Sequence, residues 1–367
     1  MASLDYRYTP DVVFPPGDTL RELLEARRMT QTELAEKLNM SEKAVSQLLN
    51  GKVTLTQETA LKLERVVGVD ASFWNNLEAR YQEWLVREEE ARRLEEHKSF
   101  VKKFPYREMV KRKWLPDGSS NLEKVRHLLN YFGVADPEAW ERHWGGGKLA
   151  AFRKINAKGA ATHPTAAWLR AGELAAQETV TAPYDRRKFK EALHEIRDLI
   201  RDLPPGFSQR MVELCGLAGV ALVLMPELPK TGISGATRWI HKTPIIQLSI
   251  RYRYEDYFWF ALFHESAHVL LHGKTNVFWR GLESDEDELQ EKEDQADEWA
   301  SNFLIPAEGW DGFINENNGF SREAICNFAR SVSTSPGVVV GRLQHEKLLD
   351  FKFHNDLRRK FQWAETD

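Results

Sequence analysis

The sequence predicts a multidomain, mainly α-helical protein with an α+β part, and three observations lead to this. The chain has 367 residues, which is long for a single domain. Residues 17–80 are dense in short helical patterns, whereas residues 219–250 have β-branched content between turn residues, as strands do. We therefore expect an N-terminal all-α bundle followed by an α+β domain with a small sheet.

Composition limits the class of protein. Two cysteines, Cys215 and Cys326, exclude a disulfide framework and an all-cysteine metal site, and they fit a reducing cytoplasm. No run of 18 apolar residues and no secretory signal is visible, so no membrane partner is expected. The formal net charge is -4, so nucleic-acid binding must be argued locally.

Shifts in composition divide the chain into segments. The predicted segments are an N-terminal helical domain at 1–80, a charged helical linker at 81–118, a second domain at 119–306 and a C-terminal helical extension at 307–367. The second domain is expected to be helical over 119–210 and to hold the sheet and the helices that carry chemistry over 211–306. In the extension, Val338–Val340 is predicted as a short strand.

One helix carries a metal-binding pattern. His264-Glu265-Ser266-Ala267-His268 is H-E-x-x-H, in which two histidines four residues apart lie within about 40° of each other around the helix axis. Glu265 sits beside them, where a carboxylate can take a proton from a metal-activated water. The flanking FWFALF and VLL predict a buried helix, in which three ionisable groups are costly unless paired or metal-bound.

A third ligand is available further along the chain. In the E-x-x-A-D pattern of residues 293–297, Glu293 and Asp297 share a helix face. Glu293 would complete a two-histidine, one-glutamate site, and Asp297 would hold the outer nitrogen of a ligand histidine. His272 competes as third ligand, although three ligands along one straight helix would not surround an ion tetrahedrally. The alternative for the whole motif is a buried histidine pair with structural hydrogen bonds.

The N-terminal residues have the pattern of a helix-turn-helix. Thr30 is expected to cap the second helix, with Glu33 completing a capping box, and Ser41 to cap the third. Asn39 and Met40 are expected to form the turn between them. The predicted helices are Leu20–Arg28, Gln31–Leu38, Glu42–Leu49 and Thr56–Val67.

The third of these helices has an outward face suited to DNA. Lys43, Ser46 and Gln47 are short or hydrogen-bonding, as a helix in the major groove requires. However, residues 17–70 carry eight basic and nine acidic side chains, so a monomer would bind DNA weakly. Dimerisation, or the basic strip at 98–113, would compensate. Two alternatives remain open: the strip is a solvated helix face, and the helices form an interaction module without DNA contact.

The stretch from residue 228 to 306 (LPKTGISGATRW, PIIQLSIRYR, FWFALFHESAHVLLHG, EDQADEWASNFLIP) closely resembles the ImmA/IrrE family of bacterial zinc metallopeptidases. Trp299 stands where phenylalanine is usual in that family, and Phe303 where leucine is usual. The resemblance implies a zincin-like α+β fold with Zn²⁺ as cofactor, and a peptidase that cuts a regulatory protein, typically a repressor. It implies His264, His268 and Glu293 as zinc ligands and Glu265 as catalytic base.

Two parts of such a site are less defined by the sequence. The strand around Ile245 to Ser249 is expected to run beside the cleft and to hold an extended peptide by backbone hydrogen bonds. No single side chain stands out as the donor to the carbonyl oxygen of the substrate, and the candidates are Arg251, Tyr252, Arg342 and His345.

Residues 12–115 resemble an XRE-type helix-turn-helix, and LLNGKVTLTQETALKLERVVGVDASFWNNLEARYQ is especially similar to the HigA antitoxin family. The resemblance implies Gln31 at the DNA backbone and Lys43, Ser46 and Gln47 toward the bases, with Ser41 beside them. The combined hypothesis is a cytoplasmic, homodimeric DNA-binding regulator with an integral zinc endopeptidase. The alternatives are a non-catalytic HigA-like antitoxin or repressor whose zinc is structural or sensory, and a peptidase whose helix-turn-helix only docks a partner.

Overall fold

The structure is a computed structural model that describes residues 13–145, 161–273, 286–316 and 319–363. The chain forms two compact units, residues 1–97 and residues 98–367. The charged segment predicted as a linker is divided between these units, because its first part continues a long helix of the first unit. No helix within the described ranges is long and apolar enough to cross a membrane.

The first unit is helical throughout its described part. The hydroxyls of Thr30, Ser41 and Thr56 each accept a hydrogen bond from the backbone three residues on, which stops the chain from fraying at three helix starts. Asn39 adopts φ 52°, the left-handed conformation that ends the second helix. The helices are α1 (Pro16–Ala26), α2 (Gln31–Leu38), α3 (Glu42–Leu49), α4 (Gln57–Val67) and α5 (Ala71–Glu96).

Two helix starts in this unit differ from the sequence-based prediction. The first helix begins at Pro16 rather than Leu20 and ends at Ala26, because proline fits the first helical position, where no backbone N–H is needed. Thr56 is the cap of α4 rather than its first residue. The inward faces of the helices bury one core that includes Leu20, Leu34 and Trp74.

The second unit contains the remaining elements. Its first helices are α6 (Lys98–Lys102), α7 (Tyr106–Lys111), α8 (Asn121–Phe132), α9 (Pro137–Trp140, continued by a π turn at Glu141–Gly145), α10 (Thr162–Glu178), α11 (Arg186–Asp202) and α12 (Phe207–Leu217). Three strands follow, β1 (Ala221–Leu224), β2 (Gly235–Ile240) and β3 (Thr243–Leu248). The chain ends with α13 (Glu255–Ala267, continued by a π turn at His268–His272), α14 (Glu286–Leu304), α15 (Ala307–Glu316), α16 (Arg322–Ser331), α17 (Pro336–His345) and a 3-10 turn at Asn355–Leu357.

The three strands form one mixed sheet in the order β1-β3-β2. β3 pairs in parallel with β1, with Ile246 opposite Leu222, and antiparallel with β2, with Ile246 opposite Thr237. Both edges of β3 are therefore occupied. The prediction that the strand around Ile245 to Ser249 holds a peptide by backbone hydrogen bonds is wrong, because its backbone groups are already paired on each side.

The stretch Val338–Val340 is helical, and its prediction as a strand is wrong. The hydroxyl of Ser335 caps α17 and Pro336 takes its first position, so a strong helix start precedes the three valines. All three valine side chains are buried in the core that also holds Phe263 and Leu343. Burial, rather than strand propensity, accounts for the β-branched run.

Two ion pairs to buried carboxylates fix the beginning of α13. Arg358 donates to both carboxylate oxygens of Asp256, at 2.9 and 2.7 Å. Arg359 donates to Glu255 at 2.8 Å and also to the carbonyl of Ile200. Chain residues about 100 positions away thus hold the first turn of this helix in place.

Candidate metal centre

Three side chains predicted as ligands converge between α13 and α14, which pack against each other. The Nε2 atoms of His264 and His268 lie 3.0 Å apart. The carboxylate of Glu293 lies 3.2 Å from Nε2 of His264 and 3.5 Å from Nε2 of His268. Their candidate ligand atoms all lie within 4.8 Å of one another, close enough for one ion to contact all three.

The local chemistry of these groups fits a cation. A ligand atom of Glu293, Oε1, is buried without a hydrogen-bond partner, although a buried carboxylate oxygen is costly when unsatisfied. Two imidazole nitrogens and a carboxylate face one point, which concentrates electron pairs there. Two histidines and one glutamate are also a donor set that zinc accepts, with a position left open for water.

His264 and Glu293 shift each other's pKa values in the directions expected of a cation beside an anion. Burial opposes the charged form of His264, yet hydrogen bonds to Asp297 and Glu293 raise its pKa to about 10. Burial likewise opposes the charge of Glu293, but the nearby rings of His264 and His268 lower the pKa of its carboxyl to about 2. Glu293 therefore carries its negative charge at neutral pH, as a metal ligand must.

Side chains around the cluster hold the ligand rings. Nδ1 of His264 lies 2.8 Å from Asp297. A neutral His264 that donates from Nδ1 to this carboxylate has its Nε2 lone pair toward the cluster. Nδ1 of His268 lies 3.1 Å from Nδ1 of His272, whose Nε2 contacts Gln295 at 3.1 Å. Both nitrogens of His272 thus face protein groups, which argues against it as third ligand. Sequence reasoning missed Gln295, since nothing in its spacing marks it as a partner of His272.

Glu265 is buried on the sheet side of α13. The hydroxyl of Thr237 in β2 donates to the Glu265 carbonyl at 2.9 Å. A Cβ added at Gly235 would lie 2.7 Å from Oε1 of Glu265, so only glycine leaves room for that carboxylate. Burial raises the pKa of the Glu265 carboxyl, and the charges of His264 and His268 oppose this rise. A carboxyl with a raised pKa beside a metal site is suited to accept and return a proton.

The four candidates for a carbonyl-oxygen donor are engaged in different ways. Arg251 donates to the Gly232 carbonyl at 2.5 Å and stacks over the Tyr252 ring at 4.8 Å. Arg342 donates to the Ile305 carbonyl at 3.0 Å and to Glu346 at 2.8 Å, and it therefore ties α17 to the end of α14. The ring of His345 lies 6.4 Å from that of Phe260, one helical turn before His264.

The predicted DNA-facing residues lie on α2 and α3 of the first unit. Lys43 is exposed, while Ser46 and Gln47 are half-buried. Gln31 donates to the carbonyl of Glu42 at 3.2 Å, which joins the starts of the two helices. Ser41 accepts from the N–H of Ala44 at 3.2 Å, so its hydroxyl is used as the helix cap.

The basic strip at residues 98–113 lies on α6 and α7 in the second unit. Its side chains are partly engaged, since Lys103 pairs with Glu141 and Arg112 pairs with Glu108. Arg112 also donates to the carbonyl of Glu227 at 3.0 Å. These contacts within the protein favour the interpretation of the strip as a solvated helix face.

Two family profiles match the chain. Residues 20–74 match a helix-turn-helix family, and residues 219–344 match the IrrE N-terminal-like domain, a peptidase family. Both resemblances recognised in the sequence, to XRE-type helix-turn-helix proteins and to the ImmA/IrrE family, are confirmed. The second match contains His264, Glu265, His268 and Glu293.

Several curated proteins are similar to less than a fifth of the chain. An uncharacterised HTH-type transcriptional regulator of Escherichia coli K12, YddM, is 36% identical over 63 residues, which are 17% of this chain and 67% of the relative. A second one, YbaQ, is 40% identical over 72 residues, 19% of this chain and 64% of the relative. Virulence-associated protein A of Dichelobacter nodosus is 40% identical over 68 residues, 18% of this chain and 67% of the relative. The chain thus spans about two thirds of the length of these relatives.

One solved structure with similarity to the chain is an addiction module antidote protein of the HigA family from Coxiella burnetii. It is 29% identical, and the match covers 23% of this chain and 92% of that chain with a TM-score of 0.21. A hypothetical protein from E. coli is 36% identical over 21% of this chain and 79% of that chain, with a TM-score of 0.20.

Proposed function

Since this chain belongs to the helix-turn-helix regulators through residues 20–74 and carries an IrrE N-terminal-like domain at residues 219–344, we propose that it is a DNA-binding regulator with an integral zinc endopeptidase. The observation that carries the proposal is the convergence of His264, His268 and Glu293, with Glu265 buried beside them. A purely structural metal site has no use for such an additional carboxylate.

The reaction we propose is hydrolysis of a peptide bond. When bound, zinc supplies the Lewis acidity that lowers the pKa of a water and polarises a carbonyl. Glu265 accepts the proton of the attacking water and then passes it to the leaving amine, a role that its raised pKa supports. Asp297 holds His264 in the tautomer that leaves Nε2 free.

The substrate is proposed to be a regulatory protein, cut within an extended segment. β2 is one of the two edge strands of the sheet, and among the described residues it pairs only with β3. It also carries Gly235 and Thr237, both of which contact Glu265. An extended peptide added along β2 would therefore bring its backbone close to the carboxylate of Glu265.

The peptidase proposal is tested by metal content and by substitution of the base. We expect about one zinc per chain by mass spectrometry, lost in the His264→Ala, His268→Ala double variant. Glu265→Gln should keep the zinc and abolish cleavage, because the amide cannot accept the proton. The assay compares new protein N-termini in a host lysate after addition of wild type or Glu265→Gln. Equal sets of N-termini would contradict catalysis, and with zinc retained they would favour a structural or sensory metal site.

The DNA-binding proposal is tested on the third helix. The exposed position of Lys43 and the neighbouring Gln47 support major-groove contact. We expect Gln47→Ala and Lys43→Ala each to weaken specific binding by about 1–3 kcal/mol and to relax sequence preference. Fluorescence anisotropy on operator and scrambled DNA measures both. Unchanged affinity and preference in both variants would contradict groove contact.

A further inference from the structure

A cleft of about 120 Å³ lies between the same two helices that carry the metal cluster. α13 contributes Tyr257 and Phe260 to its walls, α14 contributes Ser301, and Ile305 follows directly after α14. Helix α17 and Phe351, in the segment that follows it, close the other side.

One wall of the cleft, Phe260, lies next to the cluster. Phe260 precedes His264 by one helical turn, and the two ring centroids are 6.0 Å apart. Ser301 follows Asp297 by one turn on α14, and residues four apart share a helix face. A ligand bound at the cluster therefore has the cleft beside it, along the groove between α13 and α14.

The charged groups Asp256, Arg342 and Glu346 in the walls already have partners. Asp256 is held by Arg358 through two hydrogen bonds, at 2.9 and 2.7 Å. Arg342 donates to Glu346 and to the Ile305 carbonyl. A charged side chain entering the cleft would lose its hydration without gaining a partner from these groups, so the cleft favours an apolar occupant.

Size and access limit the occupant further. Cavities of about 150 Å³ with apolar walls accept a benzene-sized molecule, so 120 Å³ fits a single isobutyl or phenyl group. Tyr257 is 38% exposed and Phe351 is 60% exposed, so part of the cleft wall is accessible from solvent. A single side chain of a bound peptide can enter a cleft of this kind, whereas a folded partner cannot.

We propose that this cleft is the specificity pocket of the peptidase and receives a large apolar side chain, of leucine or phenylalanine type, next to the bond that is cut. Ser301, Ile305 and Phe351 are then specificity-determining residues. The inference rests on the proposed function, because a pocket selects a substrate only if the adjacent cluster binds metal and peptide.

Two chelating probes test the pocket without turnover. N-acetylglycine hydroxamate and N-acetylleucine hydroxamate share a metal-binding group and differ by one isobutyl side chain. On the zinc-loaded full-length protein, calorimetry should show the leucine probe binding about tenfold tighter or more, as burial of a leucine side chain predicts. Ser301→Phe, which fills the cleft from α14, should remove this advantage at unchanged zinc content.

The matched control is Ser331→Phe, the same change at the exposed end of α16, which should keep the advantage. If Ser301→Phe does not fold, Phe351→Ala replaces it, since that side chain is largely exposed, and it should reduce the advantage. Equal affinities of the two probes for the wild type would overturn the pocket and leave the cleft to another occupant. The pocket would also be overturned if Ser301→Phe and Phe351→Ala both kept the full affinity advantage of the leucine probe. Absence of zinc and of binding by either probe would overturn the proposed function, and the pocket with it.

Discussion

The position of the Glu265 carboxylate depends on the absence of a side chain at Gly235. Gly235 lies at the start of β2, and a Cβ there would come within 2.7 Å of both Oε1 and Cγ of Glu265. Real Cβ atoms do not approach other heavy atoms so closely, and the Glu265 side chain is buried, so it has little freedom to yield. An alanine would therefore displace the carboxylate rather than unfold the strand.

We expect Gly235→Ala to reduce peptide cleavage by ~10²-fold, the loss that a displacement of about 1 Å causes in a catalytic group. Zinc content should not change, because none of the three predicted ligands contacts this position. The measurement is the cleavage rate per bound zinc. Gly312→Ala in α15 is the control, since a Cβ there meets nothing within 4 Å. Wild-type cleavage by Gly235→Ala would contradict the assignment of Glu265 as base.

The site residues that could be predicted from the sequence form pairs that are close together in the chain. His264, His268 and the pair Glu293 and Asp297 are each related by one helical turn, a relation that spacing alone reveals. The contact of His272 with Gln295 joins two helices, and that of Gly235 with Glu265 joins a strand to a helix. No periodicity links such residues, so these contacts become visible only when the elements are placed in space.

At the scale of elements, α13 depends on a segment near the end of the chain. Arg358 and Asp256 are buried, with side chains 5% and 10% exposed, and Arg358 also donates to Gln344 in α17. Burial raises the pKa of Asp256, and the hydrogen bonds and charge of Arg358 oppose that rise. The arginine thus keeps a buried carboxylate charged at the first turn of the helix that carries His264.

We expect Arg358→Met to lower the free energy of unfolding by ~3–5 kcal/mol near pH 8, because it leaves a buried charge unpaired. The loss should be smaller near pH 5. The pKa of the unpaired Asp256 in the folded state lies above its unfolded value of about 3.9, so the folded variant takes up a proton as the pH falls and recovers stability. Urea unfolding at both pH values measures this effect.

Two further variants separate this ion pair from a general effect of losing charge. Adding Asp256→Asn to Arg358→Met should recover part of the stability and remove the pH dependence. Arg322→Met, which breaks an exposed pair with Asp356, should change stability little. A loss in Arg358→Met that is the same at both pH values would exclude the unpaired Asp256 as its cause.

Element types were predictable where local signals agreed. Caps and hydrophobic spacing in the first unit placed α2 and α3 at their observed bounds, Gln31–Leu38 and Glu42–Leu49. The signals conflicted at Val338–Val340, where β-branched residues follow a strong helix start. These residues are helical, as the helix start indicates. The central position of β3 is set by pairing with two other strands, one of them about 25 residues earlier in the chain, so local pattern does not reveal it.

At the scale of the whole molecule, each compact unit buries a core of its own. The first core draws on residues 20–74, and the large core of the second unit draws on residues 189–343. In the second unit, the connection between α6 and α7 adds Phe104 and α7 adds Met109, and both side chains are buried. The ring of Phe104 contacts those of Phe132 and Trp140, at 5.3 and 5.2 Å. The segment 98–118, predicted as linker, is thus part of a core.

This arrangement predicts where the chain can be divided. A fragment of residues 98–367 should fold and bind about one zinc, because its core and its predicted ligands are complete. A fragment beginning at residue 119, the predicted domain start, should aggregate or melt at lower temperature. It lacks Phe104 and Met109, and removal of one such buried side chain costs ~2–5 kcal/mol. Calorimetry and zinc content of the two fragments make the comparison. Equal stability of the two fragments would support 81–118 as a linker. A stable, zinc-binding 98–367 beside an unstable 119–367 would place the boundary at His97, and the peptidase proposal could then be tested apart from DNA binding.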